Sequence, residues 1–315
     1  MLFASAPSSD SIDGGSIPGL AEVPAFRLSG SAASPVPVLI AVPHAGRAYP
    51  RALLSAMRDA EYAAPRLEDR LVDALAREVA RATGAALLVA NAPRAMLDLN
   101  RAADDVDWEM IADAPVMTTR PAPGRRARSG LGLVPRRLPG RGEIWRGRLE
   151  RSELEARIAG IHTPYHATID AVLADMRARW GAALLIDFHS MPPLAARASG
   201  APAAEFVIGD RFGGACDGAL VGAAFAHFAE NGRRAAHNRP YAGGYALERH
   251  AAPRRGIHAL QLEVDRGAYL DPSLREPGTG MDDTAALLAG WVRRLADEAA
   301  LLGGERATDW AVAAE

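Results

Sequence analysis

The sequence predicts an α/β fold built around a central, largely parallel β-sheet. Short apolar runs of strand length alternate along the chain with longer stretches whose apolar residues repeat at helical spacing. The sequence contains no repeat with a period of 20–50 residues, and no glycine-rich phosphate loop of standard spacing follows a predicted strand. The predicted strands are residues 36–42, 85–90, 95–99, 182–188, 205–208 and 258–264, and the predicted helices are 68–83, 152–179, 217–231 and 282–302.

Several of these elements end in recognisable signals. The first apolar run ends at Pro43 and His44, as a buried strand does where it passes into a loop. The next helical pattern is closed by Gly84, a common helix stop. His189 follows the fourth predicted strand directly. Because ligand sites in open parallel sheets lie at the carboxyl ends of strands, both histidines stand where a site is expected.

The alternating region is predicted to form one domain over residues 36–303. Residues 1–35 are rich in Ser, Gly and Pro and are predicted to be a flexible N-terminal arm. Residues 102–150 hold many Arg, Pro and Gly and are predicted to be an excursion over the surface with only short elements, either a lid or a solvated face. Residues 304–315 are predicted to be a C-terminal tail.

The composition is that of a globular protein, and it restricts the chemistry. Of 315 residues, 49% are hydrophobic, and the formal net charge of -2 gives no reason to expect nucleic acid as a partner. The single cysteine, Cys216, allows neither an internal disulfide nor a thiolate zinc site, and its Gly- and Ala-rich surroundings indicate a small buried thiol. Without a secretory signal or an apolar run of membrane-spanning length, a cytoplasmic protein that does not bind membranes is predicted.

Two histidines and a carboxylate indicate a metal site. Alternation along the strand places Asp187 and His189 on the same side, so Asp187 either orients the imidazole or binds elsewhere in the site. A catalytic metal ion takes three protein ligands and leaves one position for water. With His44 and His189 as two of them, Glu68 or Asp69 is expected as the third, and the other acid is expected to cap the helix that they open.

Charged residues in apolar surroundings indicate catalytic groups. Glu263 shares one face of the last predicted strand with Gln261, where a carboxylate is unfavourable unless it is paired or functional. It suits a general base for a metal-activated water, and the alternative is an edge strand with one wet face. Arg94 and Arg101 flank the third predicted strand and are either donors for a carboxylate or oxyanion, or a surface pair.

Two further segments offer substrate contacts. His162, Tyr165 and His166 share one face of a predicted helix. Substrate contact or support of a neighbouring group is favoured over metal ligation, because Thr163 stands where the H-E-x-x-H signature needs Glu. The turn-rich segment 238–245 has donors suited to binding, although an ordinary loop has the same composition.

Six short motifs occur in register and together resemble the N-formylglutamate amidohydrolase family over residues 36–272. The resemblance implies a single three-layer α/β domain with a central mixed, mostly parallel sheet of the zinc-carboxypeptidase type (phosphorylase/hydrolase-like), related to aspartoacylase. Arg47 stands where carboxypeptidases have the Glu of a His-x-x-Glu pair, which favours the amidohydrolase branch. The motifs are Val42-Pro43-His44-Ala45-Gly46, Arg94 with Asp98-Leu99-Asn100-Arg101, Pro164-Tyr165-His166, Asp187-Phe188-His189-Ser190-Met191-Pro192, Asn238-Arg239-Pro240-Tyr241-Ala242-Gly243-Gly244 and Gln261-Leu262-Glu263.

The resemblance also implies a reaction: zinc-dependent hydrolysis of N-formyl-L-glutamate, a small-molecule substrate, to formate and L-glutamate, with one zinc ion per chain. The alternatives are another N-acyl amino acid as substrate, or ligand binding without catalysis. The predicted site residues are the metal ligands His44, Asp69 and His189, with Glu68 as the alternative acid ligand; the base Glu263 and the oxyanion stabiliser Arg94; the carboxylate-binding pair Asn100 and Arg101; and the further substrate contacts Tyr165, His166, Asn238, Tyr241 and Gly243.

Overall fold

The computed structural model describes residues 11–31, 34–114, 124–138, 140–195 and 202–313. An eight-stranded sheet carries helices on both faces, which confirms the predicted three-layer α/β architecture. The strands are β1 (Ser11–Gly14), β2 (Phe26–Ser29), β3 (Val38–Val42), β4 (Ala86–Ala90), β5 (Ile111–Ala112), β6 (Arg137–Leu138), β7 (Gly142–Glu143), β8 (Leu149–Glu150), β9 (Ala183–Met191), β10 (Phe206–Gly209), β11 (Ala235–His237) and β12 (Ile257–Asp265). The helices are α1 (Arg51–Ala56), α2 (Ala60–Leu67), α3 (Val72–Thr83), α4 (Arg125–Arg128), α5 (Arg151–Arg157), α6 (Thr163–Trp180), α7 (Gly218–Glu230), α8 (Tyr245–His250) and α9 (Met281–Ala313).

Four parallel strands form the centre of the main sheet. The strand order is β1-β2-β4-β3-β9-β12-β10-β11, and β4, β3, β9 and β12 all run in one direction. On either side, β2 and β10 pair antiparallel to their central neighbours, so the sheet is mixed, as predicted. Parallel strands covered on both faces read as continuous apolar runs, which is why these four were recognisable in the sequence. Their carboxyl ends meet at one edge.

Alternate residues of the central strands pack into two separate apolar layers. In β3, Val38, Ile40 and Val42 face the layer that contains α3, α7 and α9. Leu39 and Ala41 face the opposite layer, which contains α6 and apolar residues of the excursion. Full burial of an aliphatic side chain contributes about 1.5–3 kcal/mol, so both layers hold the central strands firmly beneath their carboxyl edge.

The strand predicted at residues 95–99 is wrong. The segment folds as consecutive turns, in which Met96 N donates to Pro93 O at 2.8 Å and Arg101 N donates to Asp98 O at 3.1 Å. Its apolar side chains are nevertheless buried. Burial without a pairing strand produces the same apolar pattern in the sequence as a buried strand, and this misled the prediction.

The helix predicted at residues 68–83 begins only at Val72. Helix α2, which the sequence analysis did not identify, ends at Leu67. Leu71 has a left-handed backbone conformation (φ 54°) and separates α2 from α3. The prediction that Glu68 or Asp69 caps the helix is therefore wrong, because Leu71 occupies the capping position. A left-handed residue other than glycine is uncommon, so the sequence carries no signal for this break.

The N-terminal segment is not a loose arm where the structure describes it. Strands β1 and β2 form an edge of the main sheet, and the side chains of Phe26 and Leu28 are buried against it. The prediction of flexibility is therefore wrong for residues 11–31. Residues 1–10 lie outside the described part of the chain.

The excursion at residues 102–150 agrees with its prediction, whereas the last helix is longer than predicted. Where it is described, the segment 102–150 contains only short elements, as predicted, whereas residues 115–123 and 139 lie outside the described part. Helix α9 continues to Ala313, beyond residue 302 where the sequence analysis predicted its end. Across the described residues, no helix combines the length and apolar character required to cross a membrane.

Gly46 tests how tightly the loop after β3 must pack. A Cβ atom at this position would lie 2.0 Å from the carbonyl oxygen of Ala92. Because that neighbour is backbone, we expect Gly46→Ala to lower the free energy of unfolding by about 1–3 kcal/mol in chemical denaturation.

The matched control is Gly222→Ala in α7, where an added Cβ meets nothing within 4 Å. It should raise stability by about 0.5–1 kcal/mol, because alanine is the better helix former. Equal effects of the two variants would contradict the close packing of the loop after β3.

Candidate metal and active site

Most of the predicted functional residues converge on one open cavity at the carboxyl edge of the parallel strands. The cavity has a volume of about 1420 Å³. His44 follows β3 and His189 lies near the end of β9, while Glu263 of β12 stands directly opposite His189 in the strand register. Asp69 enters from the turn before α3. The sheet edge expected from the sequence is therefore where these side chains meet.

Three buried side chains form a group that can hold a metal ion. The potential ligand atoms of His44, Asp69 and His189 all lie within 4.8 Å of one another. Oδ2 of Asp69 is 3.1 Å from Nδ1 of His189 and 3.7 Å from Nδ1 of His44. Ligand atoms at about 2.0–2.2 Å from a tetrahedral cation stand roughly 3.3–3.6 Å apart, so the set fits such an ion.

Two further carboxylates orient the imidazole rings. Nε2 of His44 is 2.7 Å from Oδ1 of Asp98, and Nε2 of His189 is 2.9 Å from Oδ2 of Asp187. A carboxylate only accepts hydrogen bonds, so in the neutral ring each Nε2 carries the proton and each Nδ1 presents a lone pair. This is the partner arrangement that metal-binding histidines use. Of the two roles considered for Asp187, the geometry supports orientation of His189.

The charges around the group favour metal binding but also let protons compete with it. Burial alone would raise the pKa of Asp69, but hydrogen bonds from His189 and His44 outweigh it and hold that pKa well below its usual range. Burial alone would lower the pKa of His189, but Asp187 and Asp69 outweigh it and raise that pKa. A metal ion must displace this proton, so we expect affinity to fall as the pH falls.

The structure separates the two acids considered as the third ligand. Glu68 is buried, but its carboxylate accepts from the Tyr49 hydroxyl at 2.9 Å and from Arg70 at 3.4 Å. The geometry therefore favours Asp69. Arg266, which the sequence analysis did not single out, donates to Oδ1 of Asp69 at 3.1 Å and to the backbone carbonyl of Glu68 at 2.6 Å.

Glu263 occupies an interior strand rather than a wet edge. Burial raises the pKa of Glu263 to about 7; Asp69 adds to the shift, and His189 opposes it. Gln261 donates from Nε2 to Oε1 of Glu263 at 3.0 Å, and both side chains line the cavity. A carboxyl with a pKa near neutrality can exchange a proton in either direction, as a general base and acid must.

Arg94 lines the cavity and is tied to the metal-binding group through one shared carboxylate. It donates from Nε to Oδ2 of Asp98 at 2.9 Å, while the other oxygen of Asp98 holds His44. Burial alone would lower the pKa of Arg94, but the carboxylates of Asp98, Asp69 and Glu263 together outweigh it and the net shift is upward. The guanidinium is therefore a fixed positive charge beside the site.

The two amide side chains predicted to bind substrate are occupied by protein partners. Asn100 donates from Nδ2 to Oδ2 of Asp187 at 3.0 Å, and its Oδ1 accepts from Ala246 N. Asn238 exchanges two hydrogen bonds with Asp210. Both amides lie at the cavity wall, where they fix neighbouring groups.

The remaining predicted contacts divide into two groups. Tyr241 and Gly243 line the cavity. Burial raises the pKa of Tyr241, and Glu263 raises it further. In contrast, Tyr165 and His166 are buried behind the cavity and are not among its lining residues, so their placement does not fit direct substrate contact.

Arg101 and Arg126 are two of five arginines that line the cavity without a carboxylate partner among the described residues. Within the described part of the chain, the guanidinium of Arg101 donates to the backbone carbonyls of Leu131 and Asn100 and to no carboxylate. Arg126 belongs to the excursion, and burial together with the nearby Arg101 lowers its pKa. The only sequence signal for Arg126 was the Arg-rich composition of that segment. Their uncompensated charge suits an anionic ligand.

Comparisons with known proteins identify the family of this chain. The family model for N-formylglutamate amidohydrolase matches residues 36–270. An N-formylglutamate deformylase of Pseudomonas aeruginosa is 30% identical over 281 residues, or 86% of this chain and 95% of that protein. One from Pseudomonas putida is 28% identical over the same shares. The crystal structure of N-formylglutamate amidohydrolase from Ralstonia eutropha JMP134 has a TM-score of 0.78 at 30% identity, covering 87% of this chain and 98% of that chain.

The chain belongs to the N-formylglutamate amidohydrolase family and is an amidohydrolase, a hydrolase that acts on an amide. The resemblance drawn from the six sequence motifs is confirmed, over nearly the same residues. The buried group of two histidines and one aspartate can hold a metal ion in this enzyme.

Asp187 provides a direct test of the metal-binding group. We expect Asp187→Asn to lower the affinity for zinc, used as the probe ion, by about 10- to 100-fold, because the amide no longer fixes His189. Competition with a fluorescent chelator measures this. Asp217→Asn removes a charge at the start of α7, away from the cavity, and should leave the affinity unchanged. Parental affinity in Asp187→Asn would show that the carboxylate does not orient the ligand.

Proposed function

We propose that this member of the N-formylglutamate amidohydrolase family hydrolyses N-formyl-L-glutamate to formate and L-glutamate with the help of one zinc ion. The observation that carries the proposal is the convergence of His44 and His189 on Asp69, with Glu263 opposite His189 in the strand register. Relatives named as N-formylglutamate deformylases support the choice of substrate.

Zinc would be held by His44, His189 and Asp69. Two imidazoles and one carboxylate are a donor set that zinc accepts in hydrolases, with a further position left for water. When bound, zinc polarises a carbonyl group and lowers the pKa of a water ligand to about 7. Asp98 and Asp187 keep the two histidine rings in the orientation that this role requires.

Glu263 would move the proton. It takes a proton from the attacking water as the oxygen bonds to the formyl carbon, and it delivers that proton to the leaving nitrogen as the C–N bond breaks. Once the second proton of that water has also passed to the amine, one water has been consumed and formate and L-glutamate with a protonated amino group have been produced. A pKa of about 7 lets one carboxyl serve in both steps.

Arg94 would stabilise the charge that develops on the former carbonyl oxygen. Its guanidinium lines the cavity and is held by Asp98, so it needs no rearrangement during the reaction. Loss of one preorganised donor of this kind typically lowers the rate about 100- to 1,000-fold.

Arg101 and Arg126 would receive the two carboxylates of the substrate. Both line the cavity, and neither has a carboxylate partner among the described residues. Tyr241 and Gly243 form part of the wall beside them. Asn100 and Asn238 lie in the same wall, and their amides bond Asp187 and Asp210.

Two alternatives predict different behaviour. A deacylase for another N-acyl amino acid would use the same metal chemistry, but an apolar side chain would leave a cavity arginine without a counter-charge. A ligand-binding relative without catalysis would have no need of a buried carboxyl with a pKa near neutrality beside a metal-binding group. The free arginines and the intact Glu263 therefore favour a dicarboxylic substrate and catalysis.

Glu263→Gln separates catalysis from metal binding. We expect a loss of about 100- to 10,000-fold in kcat, measured as formate release, with zinc still bound at one ion per chain by elemental analysis. The matched control is Glu230→Gln, the same change at the exposed end of α7 and outside the cavity, which should keep the parental kcat. Near-parental turnover in Glu263→Gln would remove this residue from the mechanism.

The pH profile of the parent gives a second test of Glu263. The basic form is lost as the pH falls, so kcat/KM should decline on the acid side, with an apparent pKa of about 7 or lower because a bound cation favours the carboxylate. An unchanged rate well below that range would contradict the role of Glu263 as base.

Arg126→Gln tests the recognition of a second carboxylate. The change should raise KM for N-formylglutamate about 10- to 100-fold, the value of a hydrogen bond to a charged group, but have little effect with N-formylnorvaline. Arg128→Gln on the same helix is the matched control, because Arg128 does not line the cavity. Equal losses with both substrates would contradict this assignment.

A further inference from the structure

A chain of hydrogen bonds runs from the protein surface to the segment behind the metal-binding group. Half-exposed Asp170 accepts through Oδ1, 2.7 Å from Nδ1 of His250. Nε2 of His250 lies 2.8 Å from Nδ1 of His166, and Nε2 of His166 lies 3.0 Å from the carbonyl oxygen of Leu99. Neither histidine is among the residues that line the cavity.

The chemistry of the two ends dictates the direction of every hydrogen bond between them. The Leu99 carbonyl can only accept, so His166 donates from Nε2. Burial and the neighbouring His162 lower the pKa of His166 to about 2, so the ring is neutral and its Nδ1 accepts. His250 must then donate to His166 from Nε2, and it must also donate from Nδ1, because the carboxylate of Asp170 can only accept.

We infer that His166 and His250 are positioning residues, which fix the Leu99 carbonyl through a chain of hydrogen bonds in which the carboxylate of Asp170 keeps a proton on both ring nitrogens of His250.

Whether His250 keeps its second ring proton depends on its hydrogen-bond partners. The ring faces His166 and Asp170 from α6, Arg249 from its own helix and Asp187 from β9. Burial lowers the pKa of His250, and the carboxylate of Asp170 opposes that shift. The net shift in the pKa of His250 is downward, so what holds the second proton is the geometry, in which both ring nitrogens face an acceptor. Removal of the Asp170 carboxylate takes away one of these acceptors and releases the proton.

Leu99 lies between two residues that hydrogen-bond to the metal-binding histidines or to the carboxylates that orient them. The residue before it, Asp98, holds the imidazole of His44, and the residue after it, Asn100, holds the carboxylate of Asp187. A second histidine of the same helix face, His162, bonds the carbonyl oxygen of Arg101 at 2.9 Å. A shift of the Leu99 carbonyl would thus be transmitted to both orienting carboxylates.

A π-turn places these histidines. Residues Ile158–His162 form a π-helical turn between α5 and α6, and such turns occur frequently at functional sites. The turn brings His162 and His166 against the same segment, with their ring centroids 4.4 Å apart. The ring of Tyr245 packs against both from α8.

The protonation state of His250 is measured by NMR on protein labelled with 15N in its histidines. In the parent at neutral pH, both ring nitrogens of His250 should give protonated resonances. In Asp170→Asn, one nitrogen should become unprotonated, because an asparagine amide can donate to Nδ1 of a neutral ring. Asp175→Asn, an exposed change on the same helix that removes an ion pair with Arg179, is the control. An unprotonated nitrogen of His250 in the parent would overturn the assignment.

The positioning role is measured by substitution of His250. His250→Leu should lower kcat and zinc affinity about tenfold each with KM changed less than twofold, the behaviour of a group that orients metal ligands. His250→Gln should recover most of the loss, since its amide still donates to His166. Parental kcat and zinc affinity in His250→Leu would overturn the role, as would equal losses in both variants.

Surface-exposed Asp170 keeps the test informative if His250→Leu fails to fold. Asp170→Asn should retain near-parental activity, because a neutral His250 completes the chain in that variant. A tenfold loss there would contradict the proposed hydrogen-bond directions. The inference rests on the proposed function only for its kinetic readout. The His250 resonances depend on neither substrate nor metal. Failure of the inference is therefore distinguishable from failure of the proposed function.

Discussion

The site depends on two imidazole rings whose outer nitrogens are held by buried carboxylates. Asp98 and Asp187 fix Nε2 of His44 and His189, and this leaves both Nδ1 atoms directed at one oxygen of Asp69. A ring free to rotate would present either nitrogen, and the shared direction would be lost. The rest of the fold around the cavity can be understood as the means by which these five side chains are kept in place.

The backbone provides that support at three levels. The parallel pairing of β3 with β9 brings the two histidines to one edge, and the pairing of β9 with β12 sets Glu263 beside His189. The turns after Pro93 carry Asp98, and Asn100 links those turns to Asp187. Behind them, buried histidines of α6 and α8 hold the backbone of the same turns. Precise placement of a few polar atoms thus requires polar groups well beyond the cavity.

Buried charge explains why the site is suited to a cation. Asp69, Asp98, Asp187 and Glu263 are all buried at one sheet edge, and unpaired buried carboxylates are strongly unfavourable. Arg94 and Arg266 compensate part of this charge, and a divalent ion among the ligands would compensate more. Because the sequence contains no lysine, every fixed side-chain cation here is an arginine, whose planar group can bind two oxygens at once.

The sequence predicted elements and site residues correctly where a local pattern defines them. It failed where contacts between distant residues determine the structure. The central strands and both histidines could be identified, because a fully covered strand is apolar throughout and a polar residue at its end stands out. The turns at 95–99 could not be distinguished from a strand, since their side chains are equally buried. Whether Asn100 contacts substrate or Asp187 depends on a partner 87 residues away, and the placement of Arg126 depends on how the excursion folds.

The central claim is that His44 and His189 bind a metal ion through Nδ1, together with Asp69. Crystals of the zinc-loaded protein, with diffraction recorded on both sides of the zinc absorption edge, test it most directly. The account predicts one anomalous peak per chain, within bonding distance of both Nδ1 atoms and of Oδ2 of Asp69, with Asp98 and Asp187 still on the Nε2 atoms. A peak bonded to either Nε2, a peak elsewhere, or full activity in rigorously metal-free protein would contradict it.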